Sequence, residues 1–302
     1  METAPILEHE SQTPPYILIV STKYDPHVDF VVEKLTAKKI PFARFNTEDF
    51  PLDATLTINL TNKGAETTLQ IPYNPQLNTT SVRSIWNRRP APFTFPISFP
   101  PEVQAYAEQE TRESLRGFWD IANCLWVNHP ENNRRANLKI TQLSIASQLG
   151  FNIPDTIVTN NPEEAVDFYN NHAGEVIVKA LSRGIVDKGT STLGQFTNIV
   201  TDQNLLHIHT IQYTPTLLQE YVKKDIEIRA TVVGNEVFAA AIHSQEKETA
   251  RIDWHRDALN LLHEPHILPP KTQQLCLDIN HHFGLNFSAI DLIKRPDGEY
   301  VF

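Results

Sequence analysis

The sequence predicts a mixed α/β (α+β) protein of two or three domains. Three observations carry this expectation. The chain has 302 residues, 40% of them hydrophobic, which exceeds the usual domain size of about 100–200 residues and supplies a sizeable core. Near its start, short β-rich apolar runs alternate with apolar residues at helical spacing. In its second half, Gly234-Asn235 separates two β-rich runs, the signal of an antiparallel hairpin.

Taken in order, YILIVST (16–22) reads as a buried strand after a polar tail over residues 1–15. Val28, Val31, Val32 and Leu35 then recur at helical spacing, and PFARFN (41–46) returns to strand composition, making a βαβ unit. LTINLTN (56–62) and TTLQI (67–71) form a hairpin across Lys63-Gly64, and SVRSIWNRRP (81–90) is a strand closed by proline. Five prolines between Pro90 and Pro101 suit neither helix nor central strand and mark a linker. A long helix is expected from Glu102 to Trp126, with Val103, Tyr106, Leu115, Phe118, Trp119, Ala122 and Leu125 on one face, and a second from about Asn133 to Leu149, stopped by Gly150.

IPDTIVT (153–159) is a strand, and Asn161-Pro162-Glu163-Glu164 supplies an N-cap, a proline at the first helical position and acids in the first turn. VIVKAL (176–181) is a strand leading into the Gly/Ser/Thr-rich segment 182–195. TLLQEYV (216–222) is a strand, residues 226–242 form the hairpin of a second sheet, and Gly234-Asn235 supplies its positive φ angles. KTQQLCLDINHHF (271–283) is helical, FSAIDLI (287–293) is a strand, and YVF (300–302) starts another.

With 26 Lys+Arg against 36 Asp+Glu, the formal net charge of −10 excludes a general duplex-binding surface, so no nucleic-acid partner is expected. Cys124 and Cys276 are far apart and lack metal-ligand spacing, which predicts neither a disulfide framework nor a zinc site. The start has no signal-peptide pattern and no run of about 18 apolar residues follows, so no membrane is expected and the location predicted is cytoplasmic. The sequence allows a homodimer without specifying one.

Lys179 stands at the end of an apolar strand just before the Gly/Ser/Thr-rich segment, where an ammonium can reach the phosphates of a nucleotide or simply snorkel to water. Neither GxxxxGK[ST] nor GxGxxG occurs in the required context, which sets aside P-loop and Rossmann nucleotide sites. Asp291 lies on an otherwise apolar strand, and a buried carboxylate there needs a metal or a cation as compensation. Arg83, Arg88 and Arg89 make a local basic cluster suited either to an acidic peptide or to a solvated strand end.

These residues fall into an ordered series: Lys139 with QL, A and LGF.IP.T following it, the lysine of VIVKAL, QEYV followed by EIRATVVG, and AIDLIKRPDGEYVF. In this order, over about residues 130–302, the chain resembles the ATP-grasp superfamily. YILIVST, PFARFNTEDFP and SIWNRRP further resemble the microviridin-type (graspetide) maturases of ribosomally made peptides. The resemblance implies an ATP-grasp fold with a pre-ATP-grasp α/β domain over 16–100, a helix-rich first ATP-grasp subdomain over 101–222 and an antiparallel second subdomain over 223–302.

The resemblance also implies ATP and Mg2+ as cofactors. Lys139 and Lys179 would contact the phosphates, the strand Glu220-Tyr221-Val222 would read the adenine edge through its backbone, and Glu227 would hold the ribose. Backbone groups facing a cleft do offer the donors and acceptors an adenine needs, and a carboxylate can accept both ribose hydroxyl protons. The alternatives are a solvated strand end for Glu220 and a Glu227–Arg229 ion pair. Arg229 would stabilise charge on the γ-phosphate and the acyl phosphate, with Arg251 as a second candidate.

The maturases tend to have Asp-Trp-Arg where this chain has Asp253-Trp254-His255-Arg256, and His255 reads as a surface residue. Asp291 would be a magnesium ligand. The family's other two ligands, the Glu and Asn of an E-x-N motif, would follow Phe302, so the chain is expected to be a truncation of a longer enzyme, the alternative being a form that does not hold Mg·ATP in the family's manner. The implied reaction is activation of an Asp or Glu carboxylate of a precursor peptide to an acyl phosphate, followed by attack of a hydroxyl or amine to close a macrocycle. Segment 182–195 would close over the site, and the precursor's leader, preceding its core, would dock on the hairpin-and-loop region after Lys179. The rivals are a glutamate-ligase-like enzyme adding amino acids to a protein terminus and a non-catalytic peptide- or nucleotide-binding module.

Overall fold

The computed structural model describes residues 16–74, 76–182, 184–187, 192–194 and 196–302. The tail expected over 1–15, and the part of segment 182–195 expected to close over the site that is not among these, lie outside the described residues. The chain divides into two compact units, Met1–Pro130 and Glu131–Phe302. The first boundary thus falls about thirty residues beyond the one drawn at 100/101, because the long helix after the prolines packs with the strands that precede it.

In the first unit, strand β1 (Tyr16–Ser21) leads through helix α1 (Pro26–Ala37) to β2 (Phe42–Asn46). Asp25 caps α1, its carboxylate accepting from the His27 amide at 3.0 Å, and Pro26 supplies the preset φ of the first turn. The hairpin β3 (Thr55–Thr61) and β4 (Gly64–Gln70) stands apart as its own pair. Strand β5 (Val82–Asn87), helix α2 (Pro101–Ile121) and strand β6 (Leu125–Val127) complete the unit. The sheet order β2-β1-β5-β6 is all parallel. Its core joins Leu18, Phe45, Ile85, Leu115, Phe118 and Trp119.

The expected helix over 102–126 therefore ends earlier. Leu125, Trp126 and Val127 leave it to pair with β5, and Trp126 meets the Trp119 ring edge-on at 5.7 Å. Val103 and Tyr106 are exposed, so only the C-terminal half of the helix presents the apolar face predicted for all of it.

The second unit begins with α3 (Pro130–Ala136) and α4 (Lys139–Leu149), two helices where one was expected. The break makes Lys139 the first residue of α4, and Gly150 closes that helix in the left-handed region at φ 95°. Strand β7 (Thr156–Thr159), helix α5 (Pro162–Asn171), β8 (Val176–Lys179), β9 (Ile185–Asp187), β10 (Thr192–Gly194), β11 (Asn198–Ile199), α6 (Asp202–Leu205) and β12 (Thr216–Glu220) follow. Asn161 caps α5 through the Glu163 amide, as its sequence predicts. β11, β8, β12 and β7 form one antiparallel sheet, and β9 pairs with β10.

Strands β13 (Ile226–Val233), β14 (Glu236–Ile242) and β15 (His263–His266), helix α7 (Pro270–His282), β16 (Phe287–Lys294) and β17 (Tyr300–Val301) complete the chain. Their sheet has the order β15-β14-β13-β16-β17 and is antiparallel throughout. In its hairpin turn Gly234 takes φ 58°, whereas Asn235 does not take the positive φ expected of it. Ile228, Ala230, Val232, Ile290 and Leu292 pack against Cys276, Ile279 and Phe283 of α7. Cys276 is buried there, its thiol pKa pushed up to about 12, and it serves as a small apolar residue. No helix of the described residues is long and apolar enough to cross a membrane.

Candidate active site

Strand alternation builds the site. Ile228 and Ala230 of β13 and Ile290 and Leu292 of β16 point into the core, so Glu227, Arg229 and Asp291 emerge on the opposite face of the sheet. Arg229 and Asp291 are direct cross-strand partners, and the guanidinium Nη1 donates to both carboxylate oxygens, at 2.7 and 2.9 Å. Asp291 is exposed, not buried as its apolar surroundings suggested, because its apolar neighbours occupy the other face. Its compensating cation in this structure is the Arg229 guanidinium.

Glu227 does not pair with Arg229, its neighbour on the same face. It accepts instead from Lys224 Nζ at 3.0 Å and from the Ser244 hydroxyl at 2.7 Å. The side chains of Lys224 and Glu227 are 6% and 11% exposed, so this is a buried pair. Lys224 also donates to the Ile252 carbonyl at 2.9 Å, which ties β13 to the segment that follows β14. Breaking a buried pair leaves an uncompensated charge and costs about 3–5 kcal/mol. Glu227→Ala should therefore destabilise the second unit by about 3 kcal/mol in a urea titration, whereas Glu227→Gln, still able to accept from Ser244, should lose less. Equal stability of wild type and Glu227→Ala would mean that the pair is not held in solution.

Lys179, at the end of β8, donates from Nζ to Gln219 Oε1 at 2.8 Å, and Gln219 in turn donates to the Thr156 hydroxyl at 2.8 Å. Burial lowers the Lys179 pKa, the nearby Lys224 ammonium lowers it further, and Asp253, Glu227 and Asp291 act in the opposite sense. These groups, from β8, the loop between β12 and β13, β13, β16 and the loop after β14, thus share one electrostatic environment. Lys139 reaches the chain beyond β8, donating to the carbonyls of Leu181 and Ser182 at 3.4 and 3.2 Å, and burial lowers its pKa.

Around Glu220-Tyr221-Val222 the backbone is fixed by neighbours: the Glu220 amide donates to the Asp155 carbonyl at 2.9 Å and the Tyr221 amide to the Glu175 carbonyl at 2.8 Å. Val222 is buried, and burial raises the Tyr221 pKa. The Glu220 side chain is turned to Asp155, whose amide donates to its Oε2 at 3.2 Å.

Arg251 is exposed and belongs to the electrostatic surroundings of Tyr221. Asp253 is the more extensively hydrogen-bonded member of that stretch. Burial alone would raise its pKa, but hydrogen bonds from the His255 ring and the Thr197 and His255 amides outweigh it and hold the carboxyl well below its usual range. His255 is exposed, as expected, and stacks on Trp254 at 4.0 Å, while Arg229 lies over the Trp254 ring at 5.8 Å. Arg256 donates to the Thr197 carbonyl and Asn198 Oδ1 at 2.8 and 2.7 Å. In the first unit, Arg88 is half-buried near the α1 cap Asp25, at 3.6 Å, while Arg83 and Arg89 are exposed.

Sequence reasoning gave no role to Lys224, Ser244, Gln219 or Asp253, although Gln219 and Asp253 lie within motifs it quoted. Lys223-Lys224-Asp225 reads as a solvated charge run, and only the position of Lys224 three residues before Glu227 hints at a pair. The donor set fits a nucleotide polyphosphate: the Lys179 ammonium is disfavoured by burial and by the neighbouring Lys224, and an added anion would compensate it. The exposed Asp291 carboxylate is a hard oxygen donor of the kind Mg2+ takes together with phosphates.

Known protein families resemble both parts of the chain. Residues 16–134 match the family model of the MvdD pre-ATP grasp domain, and residues 136–302 match that of the RimK-like ATP-grasp domain. The chain belongs to the ATP-grasp ligase family. A RiPP-associated ATP-grasp ligase from Chryseobacterium gregarium, solved with ADP and a leader and core peptide, is 31% identical with a TM-score of 0.88, the match covering 95% of this chain and 87% of that one. The macrocyclase MdnC of Microcystis aeruginosa, bound with its precursor peptide MdnA, is 28% identical with a TM-score of 0.83 over 95% of this chain and 89% of that one. A probable alpha-L-glutamate ligase of Citrobacter koseri is 23% identical over 172 residues, 55% of this chain and 54% of that protein. The chain thus spans about half the length of the curated relatives it matches. Within this ATP-grasp chain, the site lies wholly in residues of the RimK-like part.

Proposed function

We propose that this chain is an ATP- and Mg2+-dependent ligase that closes macrocycles in a ribosomally made precursor peptide, joining side-chain carboxyl groups to hydroxyls or amines. One observation carries the reading: the likeness to a peptide-bound RiPP-associated ligase runs through 95% of the chain. The likeness to the glutamate ligases covers little more than half of it.

In this reading Lys179 and Lys139 hold the phosphates, the backbone of Glu220, Tyr221 and Val222 holds the adenine, and Glu227 holds the ribose, its carboxylate oriented by Lys224 and Ser244. Arg229 moves its two hydrogen bonds from Asp291 to the charge that develops on phosphate and acyl group. Asp291, so released, would hold Mg2+, and Arg251 is a second cation near Tyr221. ATP, when bound, supplies the phosphoryl group that turns a carboxylate into a reactive acyl phosphate. The residues of the chain bind, orient and neutralise charge around that step. Asp253, held ionised by His255 and the Thr197 amide, balances the lysines without taking up a proton.

The leader of the precursor is proposed to dock on the region after Lys179, where β9 and β10 pair. The location proposed is cytoplasmic, and a homodimer is compatible with the reading. The test is mass spectrometry of a cognate precursor peptide after incubation with Mg·ATP. Loss of the mass of one water per bond, with one ADP released for each, is expected. Gain of an amino-acid residue mass would assign the glutamate-ligase reaction instead, and peptide binding without ADP release would leave a binding module.

A further inference from the structure

A second group of ligating side chains shares only Glu220 with the nucleotide residues, and there the proposed adenine contact uses the backbone, not the carboxylate. Asp155, His172 and Glu220 come from the segment before β7, the C-terminal cap of α5 and the end of β12, and one ligating atom of each lies within 4.8 Å of the other two. The His172 ring is fixed in orientation. Its Nδ1 lies 2.8 Å from the Phe168 carbonyl, which can only accept, so Nδ1 carries a proton. The ring also lies against Phe168, with centroids 4.2 Å apart and the planes tilted by 35°. Nε2 is therefore the atom turned to the carboxylates, 3.2 Å from Asp155 Oδ2.

A neutral imidazole with Nδ1–H would place a lone pair at Nε2 opposite carboxylate lone pairs, an arrangement that needs a positive species to join them. A second ring proton does this. A borderline dication does it better, because it accepts lone pairs from all three residues at once. Donation of the remote ring N–H to a backbone carbonyl is also the usual way a ligating histidine is aimed at a metal. The imidazole nitrogen selects Zn2+ and its neighbours over Mg2+, which prefers an all-oxygen shell. The backbone helps to hold the carboxylates: the Glu220 amide donates to the Asp155 carbonyl and the Asp155 amide to Glu220 Oε2.

We propose that Asp155, His172 and Glu220 form a surface site for a transition-metal dication of the Zn2+ type, separate from the Mg2+ site assigned to Asp291. The site joins the C-terminal end of α5 to β7 and β12, and it stands on its own geometry without needing the ligase reading. Asp155 is exposed and the other two are half-buried, so the open face leaves room for water as a fourth ligand.

The test is calorimetric titration of the EDTA-treated full chain with zinc chloride. One zinc per chain is expected in the wild type and in Asp291→Asn. Asp155→Asn, a change at an exposed position, and His172→Ala should each weaken binding by about tenfold or more. Zinc should also raise the thermal midpoint of the wild type and leave that of Asp155→Asn unmoved. The proposal is overturned if the wild type takes up no zinc, which would leave the three residues as a proton-bridged triad. It is equally overturned if Asp155→Asn and His172→Ala both bind as the wild type does, which would place the metal on other histidines such as His207 and His209.

Discussion

Lys179→Met should abolish most nucleotide binding while leaving a folded protein. The ammonium is desolvated and donates to a neutral acceptor, Gln219 Oε1. A charge-assisted bond to phosphate contributes about 1.5–3 kcal/mol net, so its loss should weaken ATP affinity by roughly 10- to 100-fold in a calorimetric titration. The cost to the empty protein has opposing parts. Methionine removes an ammonium that burial disfavours, but it leaves the Gln219 oxygen without its donor.

The two parts separate with pH. Folding lowers the Lys179 pKa from 10.5, so between the folded and unfolded values the unfolded chain holds a proton that the folded chain has released. Wild-type stability relative to Lys179→Met should therefore rise as pH climbs toward 10.5 in the absence of nucleotide, measured by denaturant titration of both proteins. Bound phosphates favour the charged ammonium, so ATP should flatten that difference. An unchanged ATP affinity in Lys179→Met would remove the lysine from the site.

How much of this was legible in the sequence follows from the kind of force that fixes each residue. The strands and capped helices could be read because their signals are local: Asn161-Pro162-Glu163 is a helix start whatever surrounds it, and YILIVS is a buried strand in any α/β layer. The order of Lys139, Lys179, Glu227, Arg229 and Asp291 could be read because each is attached to such an element. What is not local was missed. Lys224 donates to Glu227 and to the Ile252 carbonyl, and Ser244 in turn donates to Glu227, so separate stretches of chain build the pair.

Asp291 was misplaced for a different reason. Its neighbours Ile290 and Leu292 suggested burial, yet in a two-residue repeat they occupy one face, while Ala289 and Asp291 are exposed. Alternation, applied to FSAIDLI residue by residue, would have placed the carboxylate correctly. The helix expected to run to Trp126 failed because Leu125-Trp126-Val127 fits a helical face and a strand equally well, and pairing with β5 decided between them.

Arg229→Ala should lower turnover by about 10²–10³ while hardly altering stability, the range seen when a single donor to a developing charge is removed. The two effects are separable because the Arg229–Asp291 pair, although bidentate, is half in water, with side chains 36% and 47% exposed. Such a pair contributes about 1 kcal/mol or less to folding. Its geometry makes it an exchange device: each partner keeps the other in place across β13 and β16, and each is freed when it takes its own counter-charge. Arg229→Lys should recover part of the rate, since it restores the charge but not the fork. Asp291→Asn should instead shift the Mg2+ dependence, with half-maximal ADP release needing about tenfold more magnesium, because an amide is a weaker ligand for a hard cation than a carboxylate. The two changes act on one pair, so the double variant should lose less than the sum of the single losses. ADP release with precursor peptide over a magnesium series, with urea titrations of the same variants, measures all of this. Wild-type turnover in Arg229→Ala, or a loss of rate matched by an equal loss of stability, would return the pair to a purely structural role.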